Sequence, residues 1–366
     1  MAKKELRVEI GNYEPRGSKL GKNFMADMVS YLYLIEYTKD DKSELDVQLR
    51  GIYVNIYYQG GNLVKLSGRK GCELSENYFH RPEDTGLCMT DIDRLCHKDY
   101  KSKSKESKAL KNKTKEELEA LREKAIKIKK DITVKRNGLI NELKNSDSPE
   151  SVKVAVEEIK KTMRDWKEAL VKNKKRKNNV DERVVQHYIS LYNKKFDGQT
   201  DFVVLDLEYA ISTNAIYAKE FEREKQPKID IIAIEKETGQ VYVMELKYGM
   251  KSVDGEASAE KHYKDYLATV GHDDKWQSFV EDLKILLKEK QKQNMIGKDI
   301  KIRNNKPVFA FIMKQEKDTD ESSFREYVEN SKDLKNKHIP TIYLPVEKDY
   351  SNPSALGHKL SKDSMK

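Results

Sequence analysis

Residues 228–247 read KIDIIAIEKETGQVYVMELK, two runs of β-branched and apolar residues around a turn centred near Glu237 to Gly239. Side chains alternate faces along an extended strand. Val241, Val243, Glu245 and Lys247 therefore share one face, and Tyr242, Met244, Leu246 and Tyr248 share the other. On the preceding run Asp230 goes with Ile232 and Ile234, while Ile229, Ile231 and Ala233 lie opposite. Both faces stay apolar until the strands end, which predicts a hairpin in the centre of a sheet. Charges in such a place are not surface decoration.

The turn's length sets whether Asp230 lies beside Glu245 or beside Lys247, and a cross-strand neighbour is only about 5 Å away. Either way the three polar heads converge. Two carboxylates that close repel each other unless a cation or a proton sits between them. A hard divalent ion such as Mg²⁺ meets that need with only one or two protein carboxylates, keeping several of its waters. Lys247, two residues past Glu245 on the same face, is then placed to position or help deprotonate an attacking water activated by the metal, and to hold a phosphate oxygen.

These residues, PKID at 227–230 followed by ELK at 245–247, resemble the PD-(D/E)XK nuclease superfamily, with Pro227 near Asp230 as the degenerate PD element. The resemblance covers roughly residues 180 to 345. It implies a restriction-endonuclease-like α-β-β-β-α-β core, with Asp230 and Glu245 on Mg²⁺ or Mn²⁺ and Lys247 orienting the water for phosphodiester hydrolysis. On the next helix His262 and Tyr266 stand at i,i+4, projecting from one face toward a common neighbour. The pair looks like the Gln-x-x-x-Tyr element of RecB-like members, with His in place of Gln; read without the family, it is a polar helix edge. An acidic residue upstream commonly completes the metal shell in this superfamily. VVLDLEY at 203–209 puts Asp206 and Glu208 on one face, with Val203, Leu205 and Leu207 on the other. Glu208 is the first choice because it is nearer the strand's end; Asp206 and the helical Glu182 are alternatives. Either strand acid also reads as a surface charge or a partner for Lys219 or Arg223.

Around this core the chain is expected to be mixed α/β, with a mixed sheet covered by helices on both faces. The parts expected are a mixed α/β N-terminal module at 1–112, an antiparallel helical hairpin and basic linker at 113–178, the nuclease-like domain at 179–350 and a frayed tail at 351–366. In the first module "SYLYLIEY", "GIYVNIYY" and "NLVKLSG" read as strands, the last two joined by a Gln59-Gly60-Gly61 turn. The helical hairpin rests on Leu118, Leu121, Ala125, Ile128 and Ile132, then on Val152, Val156, Ile159, Met163, Trp166 and Leu170, each set spaced by threes and fours. Ser148 and Pro149 read as N-cap and first helical residue of its second arm. The basic run KNKKRKNN at 172–179 marks the domain boundary.

The formal charge of +9, from 57 lysines and 14 arginines against 62 acidic residues, favours a polyanionic partner. A lysine-biased composition accounts for the same excess. Cys72, Cys88 and Cys96 form no CxxC pair, and with His80 and His97 they lack paired zinc-ligand spacing. No run is apolar and long enough to span a membrane and no apolar leader follows the start, so the expectation is a cytoplasmic protein. P-loop, GxSxG and HExxH motifs are missing, which removes the NTPase, serine hydrolase and metalloprotease readings. The leading expectation is a Mg²⁺-dependent endonuclease acting on DNA, with a homodimer or protein partner engaged through the N-terminal half. By resemblance to stand-alone bacterial members, a role in defence against foreign DNA follows. The alternatives are a non-catalytic nucleic-acid-binding or scaffold protein on the same fold, and a hydrolase of RNA or a small nucleotide.

Overall fold

A computed structural model describes residues 29–40, 43–49, 53–67, 71–80, 87–96, 110, 113–172, 182–193, 200–211, 228–254, 258–273, 275–292, 294–346 and 360–365. In chain order its helices of eight or more residues are α1 (Val29–Tyr37), α2 (Met89–Cys96), α3 (Lys115–Lys144), α4 (Pro149–Lys172), α5 (Glu182–Tyr192), α6 (Ala259–Ala268), α7 (Trp276–Lys292) and α8 (Asp320–Asn330). Its strands are β1 (Asp46–Leu49), β2 (Tyr53–Tyr58), β3 (Gly61–Ser67), β4 (Gly71–Glu73), β5 (Phe202–Ala210), β6 (Lys228–Glu235), β7 (Val241–Tyr248), β8 (Val308–Lys314) and β9 (Thr341–Leu344). The chain divides into two compact units. One draws its described residues from Glu44–Gly61 and Val180–Lys366, the other from Pro15–Ser43 and Asn62–Asn179.

The first unit is built on a mixed sheet in the order β5-β6-β7-β8-β9. β5, β6 and β7 are antiparallel neighbours, and β8 and β9 continue in parallel with β7. The quoted hairpin, β6 and β7, thus occupies the interior of the sheet, as its two apolar faces require. One face packs against α5 through Ile231, Ala233, Met244, Leu246, Ala310 and Ile312. The other meets α6 and α8, where Tyr266 lies 5.2 Å from Phe309 and Phe324 lies 5.4 Å from Phe311, ring centre to ring centre. The parallel crossovers run through α6 and α7, then through α8, since parallel strands need a long return. β1 and β2 are antiparallel in this unit. The end of the chain is not frayed where it is described: Leu360 is fully buried in the α5-side core, and Met365 bridges to Ile342 of β9. Polar contacts join these two apolar residues: the Leu360 N–H donates to Asn193 Oδ1 at 2.9 Å and the Lys362 N–H to Asp201 Oδ2 at 2.7 Å.

In the second unit α3 and α4 form the expected helical pair. Thr114 and Glu117 close a capping box at the start of α3, and the Ser148 hydroxyl accepts from the Ser151 N–H at 3.2 Å at the start of α4. Val152, Val156, Ile159 and Met163 are buried along α4. Glu76 takes ion pairs from both Lys129 and Arg136, about two turns of α3 apart. The segment expected as the first strand is instead helical over Val29–Tyr37. A short run apolar on all sides has no period to separate helix from strand, and packing decides it: Leu34 and Ile35 are buried, and the Tyr37 hydroxyl donates to Glu157 of α4 at 3.0 Å. The Cys88 thiol donates to Asp91 at 3.0 Å and the His80 ring meets the Leu87 carbonyl at 2.8 Å. His97, Pro227, Lys219, Arg223 and most of the basic run at 172–179 lie outside the described residues.

The turn between β6 and β7 fixes the register of everything that follows. Gly239 has φ of +73°, and a Cβ there would stand 2.9 Å from the Lys301 carbonyl oxygen. Its own carbonyl accepts from the Arg303 N–H at 2.8 Å. Gly239→Ala is therefore expected to lower stability by about 1–3 kcal/mol through left-handed backbone strain and this close approach. A urea denaturation midpoint unchanged from wild type would contradict that.

Candidate active site

The β6–β7 register pairs Ile231 with Met244 and Ile232 with Val243. One step further along the ladder Asp230 comes level with Glu245, the first of the two arrangements that the turn allows. The parallel partner of Glu245 on β8 is Phe311, and that of Lys247 is Met313. Asp230, Glu245 and Lys247 thus share the sheet face covered by α6 and α8, backed by aromatic and thioether side chains instead of water.

Burial is nearly complete at Glu245 and Lys247 and partial at Asp230. Glu245 is 4% exposed and Lys247 2%. Lys247 Nζ donates to Glu245 Oε1 at 3.0 Å, and His262 Nε2 of α6 stands 3.0 Å from the same oxygen. Asp230 Oδ2 accepts from the Leu246 backbone N–H at 3.0 Å. The Gln186 amide of α5 donates to the Asp230 carbonyl, holding the backbone of β6 from the opposite layer. The two carboxyl groups are near enough for the charge of Asp230 to act on Glu245.

Such crowding shifts both acids in one direction. Burial pushes the Asp230 carboxyl above its ordinary value, with Lys247 and the Leu246 N–H pulling back and the charge of Glu208 adding to the rise. Burial also pushes Glu245 well above the usual range, and the Asp230 charge raises it further; Lys247 opposes, and Glu182 adds to the rise. Desolvation and a like charge disfavour the ionised form together. A proton or a cation is needed between these groups.

The upstream acids are placed as follows. β5 pairs Leu207 with Ile231 and Tyr209 with Ile229, which puts Glu208 level with Asp230. Glu208, Asp230 and Glu245 thereby form a row across three neighbouring strands. Glu208 is half-buried with φ of +46°, and Glu182, at the start of α5, is half-buried. Asp206 is fully buried, level with Ile232, and its Oδ1 accepts from the Leu207 N–H at 2.9 Å. The structure brings His262 to the carboxyl pair but not Tyr266. The Tyr266 hydroxyl donates to the Pro307 carbonyl at 2.6 Å, its ring stacks with Tyr263, and burial pushes its pKa up to about 12. One helical turn, about 5.4 Å, separates the two positions along α6, enough to send the longer side chain to a different neighbour. Gln186 is a contributor the sequence reading missed. Its signal was a polar residue inside the apolar stretch VVQHYI of α5.

Among the described residues no three His, Cys, Asp or Glu side chains stand together as a preformed metal-ligand group. The donor chemistry nonetheless fits a hard cation. Asp230 and Glu245 offer facing oxygen donors whose joint ionisation calls for positive charge, and Mg²⁺ needs one or two such carboxylates. No family model, curated protein or solved structure matches the chain.

A raised carboxyl pKa makes the folded state bind more protons than the unfolded one. The stability this confers is complete below the ordinary glutamate value of 4.5 and is lost as pH rises through the folded value. Without divalent ions, wild type is expected to lose stability relative to Glu245→Gln as pH rises above the ordinary glutamate value of 4.5. Parallel urea titrations of the two proteins check this, and a pH-independent difference would contradict it.

Proposed function

We propose that the first unit is a metal-dependent phosphodiesterase, an endonuclease acting on DNA. The observation that carries this reading is the juxtaposition of Asp230 and Glu245, level on adjacent strands of the central hairpin of a mixed sheet, with Lys247 on the same face donating to the buried Glu245. The element order is also the one expected of a restriction-endonuclease-like core: α5, then β5, β6 and β7, then helices, then β8. A decayed site on a binding module has no reason to keep a buried Glu245–Lys247 ion pair beside a half-buried Asp230, because burying charge is costly. The formal charge of +9 suits a polyanionic substrate.

Asp230 and Glu245, with Glu208 level with them, are the residues that would hold Mg²⁺ or Mn²⁺. A divalent ion there supplies Lewis acidity toward water and phosphate oxygen and neutralises the carboxylates. Lys247, released from part of its duty to Glu245 once that charge is shared, holds the attacking water or a phosphate oxygen through its ammonium donors. His262 keeps the Glu245 carboxyl in orientation from α6. Met313 and Phe311 keep bulk water from the inner wall, which strengthens each of these interactions.

Plasmid and single-stranded DNA cleavage with Mg²⁺, Mn²⁺ or EDTA tests the reading directly. Wild type is expected to cut only with a divalent ion, and Asp230→Ala and Lys247→Ala to lose about 100-fold or more of that activity. Cutting in EDTA, or full activity in both variants, would overturn the assignment. Cleavage of RNA alone would move the substrate class while leaving the site in place.

A further inference from the structure

A lysine remote in sequence from these acids lies inside the same unit. α7 turns Val280, Leu283, Leu286 and Leu287 inward, and the next position on that apolar face is Lys290, 3% exposed. Its Nζ donates to the Leu205 backbone carbonyl at 2.5 Å and to Gln48 Oε1 of β1 at 3.0 Å. Gln48 is held in turn by Asp46 at 2.7 Å and by Ser190 of α5 at 3.5 Å. A buried ammonium needs such partners, yet the fold had no obligation to put one here.

Leu205 is where the β5 ladder slips. Val204 pairs with Ala233 but Asp206 pairs with Ile232, so Leu205 is an extra residue in β5 with no partner of its own on β6. A one-residue bulge reverses which face every later side chain meets. The reversal is visible in the packing: Phe202, Val204 and Leu207 all reach the α5-side core, a spacing of two and then three. In an unbroken ladder Asp206 and Glu208 would follow Phe202 and Val204 onto that face, and Leu207 would stand level with Asp230. The bulge sends both acids to the other face and brings Glu208 into the row with Asp230 and Glu245.

We infer that Lys290 is a positioning residue for the candidate active site: by clamping the Leu205 carbonyl it holds the bulge that puts Glu208 beside Asp230. The catalytic use of that row rests on the nuclease reading; the clamp does not. Its test is accordingly made without metal or substrate. In the full chain with Cys72→Ala, Cys88→Ser and Cys96→Ser, the pair Glu208→Cys and Asp230→Cys reports the bulged register by disulfide formation, and Leu207→Cys with Asp230→Cys reports the unbroken one. The first pair is expected to close and the second to stay open.

Adding Lys290→Met should slow closure of the first pair by about tenfold, the population shift that losing a charged hydrogen bond brings, and speed closure of the second. Lys290→Arg, which keeps the donor, should retain the original pattern. Deleting Leu205 removes the extra residue, so in that background Lys290→Met should leave closure of the 208–230 pair unchanged. Equal slowing with and without Leu205 would show a general structural role and overturn the proposal, as would a first pair indifferent to Lys290→Met. If Lys290→Met fails to fold, Lys290→Gln is read on the same two pairs, with the same outcomes deciding. Disulfides that follow this pattern, together with wild type that shows no metal-dependent cleavage, would uphold the clamp and defeat the nuclease reading alone.

Discussion

Asp230 and Glu245 cannot both be ionised where the sheet puts them unless positive charge joins them. They stand level on adjacent central strands, with an aromatic neighbour on the next strand and almost no exposure at Glu245. Lys247 and His262 both turn to one oxygen of Glu245. One ammonium serving two acids leaves the pair short of charge: burial raises both acids despite it, and the Asp230 charge raises Glu245 further. The surrounding architecture keeps this imbalance in place. The Gly239 turn sets the β6–β7 register, Gln186 ties the β6 backbone from below, and the bulge in β5 brings up a third carboxylate. The proposed nuclease reading supplies the missing positive charge as a divalent cation.

Much of this was legible in the sequence because it depends on local alternation. The apolar faces of β6 and β7 follow from a period of two, and that period alone puts Asp230, Glu245 and Lys247 on one side of the sheet. The helices α3 and α4 follow in the same way from spacings of three and four, and Ser148 announces its own cap. What stayed hidden depends on partners far along the chain. No count along VVLDLEY reveals that Leu205 is extra, because the bulge is held by Lys290, 85 residues away. Read as an unbroken strand, the segment pairs Asp206 with Glu208 correctly but does not tell which face they meet.

The other departures have similar causes. Val29–Tyr37 is apolar on every side, so propensity favours a strand while packing and the hydrogen bond to Glu157 favour a helix. His262 and Tyr266 share a helical face, but Tyr266 finds the Pro307 carbonyl before it reaches the acids. Lys290 did leave a trace, as a lysine on the apolar face of α7 beside Leu283, Leu286 and Leu287. A charged residue at a core position of an amphipathic helix is a useful sign that a buried backbone carbonyl elsewhere needs a donor.

The central claim is that a divalent cation replaces protons held by the Asp230–Glu245 pair, since metal binding releases protons from ligands that must ionise. Calorimetric titration of Mg²⁺ into the full chain, at about pH 6 and in buffers of different ionisation enthalpy, reads that exchange directly. The account predicts saturable binding with net release approaching about one proton for wild type, and release largely abolished in Glu245→Gln. Absence of saturable binding, or binding whose proton release is the same in both proteins, would contradict it.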